Sequence, residues 1–143
     1  MALTKIVTGM EKGPEAIDAN FTELAGTTDW STSGISYLNG ATGGDGDLIR
    51  YRYTQMGSRK LYEITGYLGV SLKPSQKLDV FKIPTNIAQA MVSYQGRVTP
   101  TADAGNMVRV DVDSTSGTVT MSASSLNSET DMGGFFIDIW VIV

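Results

Sequence analysis

Asp111 and Asp113 stand two residues apart on a stretch that alternates like a strand, so both carboxylates leave one face; Asp45 and Asp47 repeat that spacing in a glycine-rich stretch. Two carboxylates about 5–10 Å apart in a cleft are the working pair of a glycoside hydrolase. On an open strand the same pair is only a solvated edge. Asp45 and Asp47 suit a bound cation, the hydroxyls of a sugar, or a plain solvated turn. "DVDSTSG" begins like a calcium-binding loop, but its glycine falls one place late for an EF-hand, and the twelfth position is Ser122 where a glutamate is needed. "GGDGD" follows no clear strand and opens no helix, which removes a phosphate-cradling loop.

Absences narrow the chemistry further. With no histidine and no cysteine, the chain has no Ser-His-Asp or Cys-His machinery, no metal site rich in those ligands, and no ordinary proton shuttle near neutral pH. We therefore expect a protein that is not an enzyme and that holds no cofactor and no metal. Its 11 Lys and Arg are scattered and its formal charge is −4, so neither nucleic acid nor an anionic membrane is an expected partner. The length of 143 residues suits one compact domain. No run of about 7–15 apolar residues follows a basic start, and no stretch approaches the roughly 20 apolar residues of a membrane helix. A soluble protein made in the cytoplasm is expected. Asn20-Phe21-Thr22 matches the glycosylation sequon and is read as chance.

The elements that must position these residues fall into two unequal parts. Gly13-Pro14-Glu15 reads as a helix start and Gly26 as its stop. Between them Ile17, Phe21 and Leu24 lie at i, i+4 and i+7 and form one apolar stripe. From Trp30 onward the signals are those of strands. "DLIRYRYTQMGSRKLYEITGYLGVSL" predicts a hairpin turning at Met56-Gly57-Ser58, with Tyr62, Ile64 and Leu68 sharing a face. Val108, Val110 and Val112 share a face of a second hairpin that turns at Ser116-Gly117 and returns through Val119 and Met121. Ile35 to Leu38, Leu78 to Ile83 and Met91 to Val98 are shorter strand candidates. Asn39 to Asp47 is an exposed loop. The expected fold is all-β: an antiparallel β-sandwich or barrel, jelly-roll-like, with one short N-terminal α-helix.

"FFIDIWVIV" closes the chain. Phe135, Ile137, Ile139, Val141 and Val143 occupy one face, and Phe136, Asp138, Trp140 and Ile142 the other. A half-solvated strand would alternate apolar with polar residues, and an exposed one of this composition would aggregate. The expectation is a strand central in its sheet and covered on both sides. One side is its own core, and the other is a subunit interface formed by Phe136, Trp140 and Ile142; the alternative is a central strand sandwiched within the monomer.

The opening "MALTKIVTGMEKGPEAIDANFTEL" resembles the N-termini of siphophage baseplate and tail-tip proteins from viruses of Gram-positive, lactic-acid-type bacteria, which carry a segment of the form "G…G.E.I..NF..L". "STSGISYLNG", "IRYRY", "KLYEITGYLGV", "FKIP", "VSYQGRV" and "SGTVTMSA" resemble the head domains of the same proteins. The resemblance spans nearly the whole chain through loose motifs. It implies an anchor segment at residues 1–28 that docks on other baseplate or tail proteins, a β-sandwich head at residues 29–143, and a homotrimer in the virion. Such heads adsorb to host cell-wall saccharide without cleaving it. Read that way, Asp138 with Trp140, and Trp30 with the loop of Asp45 and Asp47, are the candidate saccharide-binding residues, because sugars need rings to stack on and polar groups for their hydroxyls; the other readings are an interface ring without ligand for Trp140 and, favoured for Trp30, plain packing at the start of the head. Arg50 and Arg52 would suit a phosphate on a cell-wall polymer, although two arginines on a strand are more often a solvated face. Relatives commonly place a neck between anchor and head, and here only a few residues follow Gly26. The alternative is a purely structural virion component with no saccharide ligand.

Overall fold

The computed structural model describes residues 4–7, 9–73, 75–91, 95–98, 108–123 and 132–143. Helix α1 spans Gly13–Ala25. Strands β1 (Ser36–Tyr37), β2 (Thr42–Gly43), β3 (Arg50–Met56), β4 (Arg59–Leu72) and β5 (Lys77–Lys82) follow it. Helix α2 (Thr85–Met91) then precedes β6 (Gln95–Val98), β7 (Val108–Val112), β8 (Thr118–Ser122) and β9 (Met132–Ile142). The strands pair antiparallel in two sheets. The first is ordered β1-β5-β8-β7-β6; in the second, β4 has β2 and β3 along one edge and β9 along the other. This is the antiparallel sandwich class expected from the sequence.

Alternation decides which face each strand buries. Ile64 and Leu68 of β4 face Ile139 and Phe135 of β9 in register, and all four are buried. From the first sheet, Val80, Phe81, Val108, Val110, Val119 and Met121 complete the same core. Each such side chain, fully buried, stabilises the fold by about 1.5–3 kcal/mol. Helix α2 adds Ile87, Ala88 and Met91 to it. This helix is a correction to the strand expected over Met91 to Val98. Met91 ends a helix and only Gln95–Val98 is strand, while residues 92–94 lie outside the described residues.

Two turns show why particular residues stand where they do. Gly26 ends α1, but with φ −69° rather than in a left-handed cap; its N–H donates to the Thr22 carbonyl, and a Cβ there would lie 2.2 Å from that oxygen. Between β7 and β8, the Asp113 carboxylate accepts the N–H groups of Thr115 and Ser116 at 2.8 and 2.9 Å. Those bonds, Ser116 first, lower the Asp113 pKa from its ordinary 3.8. A carboxylate with a depressed folded pKa contributes stability that is present above the ordinary value and lost as pH falls through the folded one. Asp113→Ala should therefore be less stable than the parent at neutral pH. The gap should shrink once the pH drops below 3.8; urea titrations across pH read this directly, and a pH-independent gap would contradict it.

Candidate functional site

The outward face of the second sheet collects most of the residues singled out above. Its register is set by the β3–β4 hairpin, where Met56 pairs with Arg59 across Gly57-Ser58. Arg52 then lies opposite Glu63, and Glu63 opposite Trp140; Arg50 lies opposite Thr65, and Thr65 opposite Asp138. Arg52 donates to Glu63 through two nitrogens, at 2.6 and 3.1 Å. Hydrogen bonding to Glu63 raises the Arg52 pKa, against the opposing effect of burial and with the help of the carboxylate's charge. Glu63 is 5% exposed. The expected phosphate fork of Arg50 and Arg52 is therefore broken, because Arg52 already holds a carboxylate.

Trp30 joins the same face from the other side of β3. The bridges Thr27↔Thr54 and Ser31↔Tyr51 lay residues 27–31 along that strand, and the Trp30 ring sits 5.1 Å from the Arg50 guanidinium and 4.3 Å from that of Arg52. These are cation–π distances. Trp30 thus packs on the two arginines rather than on the loop of Asp45 and Asp47. Arg50 connects the two places, because it also lines an open depression of about 340 Å³ with Thr32, Gly44, Asp45, Gly46 and Leu48. Asp47 lies outside that lining; its backbone N–H donates to Gly44 and its carbonyl accepts from Tyr67.

The closing strand departs from expectation in one respect and follows it in another. Among the described residues β9 pairs with β4 alone, so β4 rather than β9 is the central strand. Composition carries information about which faces are covered and none about which edges are. Phe135, Ile137 and Ile139 are buried, whereas Val143, assigned to the same face, is 40% exposed where it extends the pairing onto Lys60. On the other face Phe136 is 60%, Trp140 57% and Ile142 55% exposed. The Trp140 indole N–H donates to the Asp138 carboxylate, which gives the one charge of this strand a partner on the strand itself. Phe136 packs edge-on against Tyr67, with ring centroids 5.5 Å apart.

Remaining candidates resolve simply. Asp111 accepts from Arg109 at 2.8 Å and Asp113 holds its turn, so the two carboxylates have separate structural work. Asn20 of the sequon exchanges hydrogen bonds with the Thr4 backbone. Ile17 and Phe21 lie exposed on α1, with Leu24 half-buried. Glu63 is a member of this face that the motifs of the sequence do not single out; the turn at Gly57-Ser58, which sets it opposite Arg52, is the signal that finds it. A larger cleft of about 510 Å³, between the end of α1 and the β3–β4 hairpin, is lined by Thr22, Gly26, Thr28, Tyr53, Gln55 and Lys60 among others. It contains none of the predicted residues.

No family model matches the sequence, and no curated protein matches it. Two solved structures share the fold. The receptor binding protein gp15 of Listeria phage PSA superposes with a TM-score of 0.63 at 16% identity, over 96% of this chain and 82% of that one. The head domain of lactococcal phage bIL170, described as a receptor binding domain, gives a TM-score of 0.52 at 13% identity, over 80% of this chain and 96% of that one. At such identities the likeness is one of fold, and the fold is the one that the sequence motifs resemble.

Proposed function

We propose that this chain is a receptor-binding protein of a phage tail, a virion component that adheres without catalysis to saccharide on the host surface. It acts as a homotrimer whose protomers meet through the outward face of β9, and its N-terminal segment attaches it to other tail proteins. The observation that carries this reading is the exposed row of Phe136, Trp140 and Ile142 on a strand with almost no polar residue, set in a fold shared with two phage receptor-binding proteins. Monomeric proteins rarely leave such a patch bare. The depression walled by Asp45, Arg50 and Thr32 would offer the sugar a carboxylate, a guanidinium and a hydroxyl.

A glycan array with the purified chain tests the adhesion. We expect reproducible retention of a narrow set of cell-wall saccharides, lost or weakened about tenfold in Asp45→Ala and Arg50→Ala with the solution mass unchanged. A purely structural component would show no sugar preference at all, and that result would reject the receptor role while leaving the trimer to be judged by its mass.

A further inference from the structure

The cleft of about 510 Å³ beside the β3–β4 hairpin is separate from the depression that Arg50 lines. Arg50 and Arg52 leave one face of β3, and Tyr53 and Gln55 leave the other. On that second face Tyr53 pairs with Tyr62 and Gln55 with Lys60. Tyr62 is buried and Tyr53 only half-buried, so the inner face of the sheet comes open at this end. The end of α1 makes the opposite wall. It is held there by Gly57 N–H on the Leu24 carbonyl and Gln55 N–H on that of Gly26, at 2.9 and 2.8 Å. Thr22 of the helix and Ser58 of the hairpin turn line the cleft between them.

The fold does not use up the polar groups of this cleft. Gln55 is 8% exposed, and its Nε2 donates to the carbonyls of Gly57 and Arg59 at 2.5 and 3.1 Å. Those two bonds fix which way the amide points, and they leave Oε1 as an acceptor with no donor among the described residues. Lys60 Nζ lies 4.4 Å from the centre of the Tyr53 ring and makes no ion pair among the described residues. The hydroxyls of Thr27 and Thr28 are committed to Thr54 and to the Tyr53 backbone. Those of Thr22 and Ser58 have no partner among the described residues.

A fixed acceptor, an ammonium and two hydroxyls around one cleft sort ligands by chemistry. An inorganic anion would satisfy Lys60, but it has nothing to give Gln55 and meets Glu23 on the same wall. A hydrocarbon satisfies neither group. A sugar satisfies both, because each of its hydroxyls donates as well as accepts. The volume also falls within the roughly 300–1,000 Å³ of small-molecule sites.

We propose that this cleft is a second saccharide site, in which Gln55 Oε1 accepts from one sugar hydroxyl and Lys60 donates to another. It takes from the adhesion reading only the class of ligand; the cleft and its groups stand apart from that reading. The test is amide chemical-shift mapping by NMR on the labelled full chain, titrated with glucose, galactose, rhamnose, N-acetylglucosamine, glycerol or inorganic phosphate. At least one sugar should shift the Gln55 side-chain amide and the Ser58 backbone amide saturably. Thr22→Trp fills the cleft from an exposed helix position, and Lys60→Met removes the ammonium while keeping an apolar stem. Each should weaken that response about tenfold. Sugar shifts confined to the Asp45 loop, or a Thr22→Trp variant that responds as the parent does, overturn the cleft site and leave the adhesion reading standing. Shifts by phosphate or glycerol as strong as those of any sugar overturn the saccharide class. Shifts at neither place also overturn the proposal, and the glycan array then judges the adhesion reading separately.

Discussion

Phe136→Asp combined with Trp140→Asp should turn the proposed trimer, about 46 kDa or three times 15.3 kDa, into a folded monomer of 15.3 kDa. Both side chains are more than half exposed in the protomer, so each has on the order of 100 Å² left to bury against a neighbour. At about 25 cal/mol/Å² that amounts to roughly 2.5 kcal/mol for each side chain at each contact, near two decades in dissociation constant. An aspartate there also places an unpaired charge in an apolar interface. The protomer core is untouched, because Phe135, Ile137 and Ile139 on the other face of β9 remain in place. Sedimentation should show the loss of mass, and far-UV circular dichroism should be unchanged. Trp140→Ala alone then separates two roles. Loss of the oligomer makes Trp140 an interface residue, whereas an intact oligomer with lost sugar binding makes it a ligand residue. We expect the first. A double variant that keeps its trimer would remove the sheet face from consideration as the interface.

Much of this site is legible in the sequence, and the reasons are physical. A turn's length fixes every pair in its hairpin: the sequence predicts the turn at Met56-Gly57-Ser58, but Met56 pairs with Arg59, and the shorter turn at Gly57-Ser58 is what sets Arg52 opposite Glu63. Period-two alternation places Val108, Val110 and Val112 inside, and they are. Alternation also separates the two faces of β9 correctly. What it does not supply is pairing between distant segments. Nothing local says that Glu63 meets Trp140, or that β9 takes one edge of β4 rather than a central place. Trp30 is a similar case. Its partners, Arg50 and Arg52, come from residues 27–31 lying along β3, a placement made by two isolated bridges with no sequence signature. Helix α2 leaves no readable mark because a seven-residue helix carries too few turns to show a period.

Gly66→Ala should be strongly destabilising. Gly66 lies in β4 opposite Ile137, at the gap between the residues that pair with β3 and those that pair with β2, and its φ is +140°. An alanine there is strained by its backbone conformation alone, at about 1–3 kcal/mol. Its Cβ would also stand 2.4 Å from the Leu48 carbonyl oxygen and 2.8 Å from the Ile49 Cα. Backbone cannot swing aside as a flexible side chain does, and Ile49 is fully buried. The strand and the crossing segment must therefore separate, and the total loss should be about 3 kcal/mol or more, roughly 10 °C in melting temperature for a chain of this size. Gly46→Ala is the control. It shares a positive φ of +78° but has nothing within 4 Å of its Cβ, so strain alone should lower stability by about 1 kcal/mol. Equal melting temperatures for the two variants would mean that the Leu48 contact has no energetic weight. A large difference would carry a functional corollary. Leu48 and Asp45 wall the depression that Arg50 also lines, so Gly66→Ala should lose the proposed sugar retention even at temperatures where it remains folded.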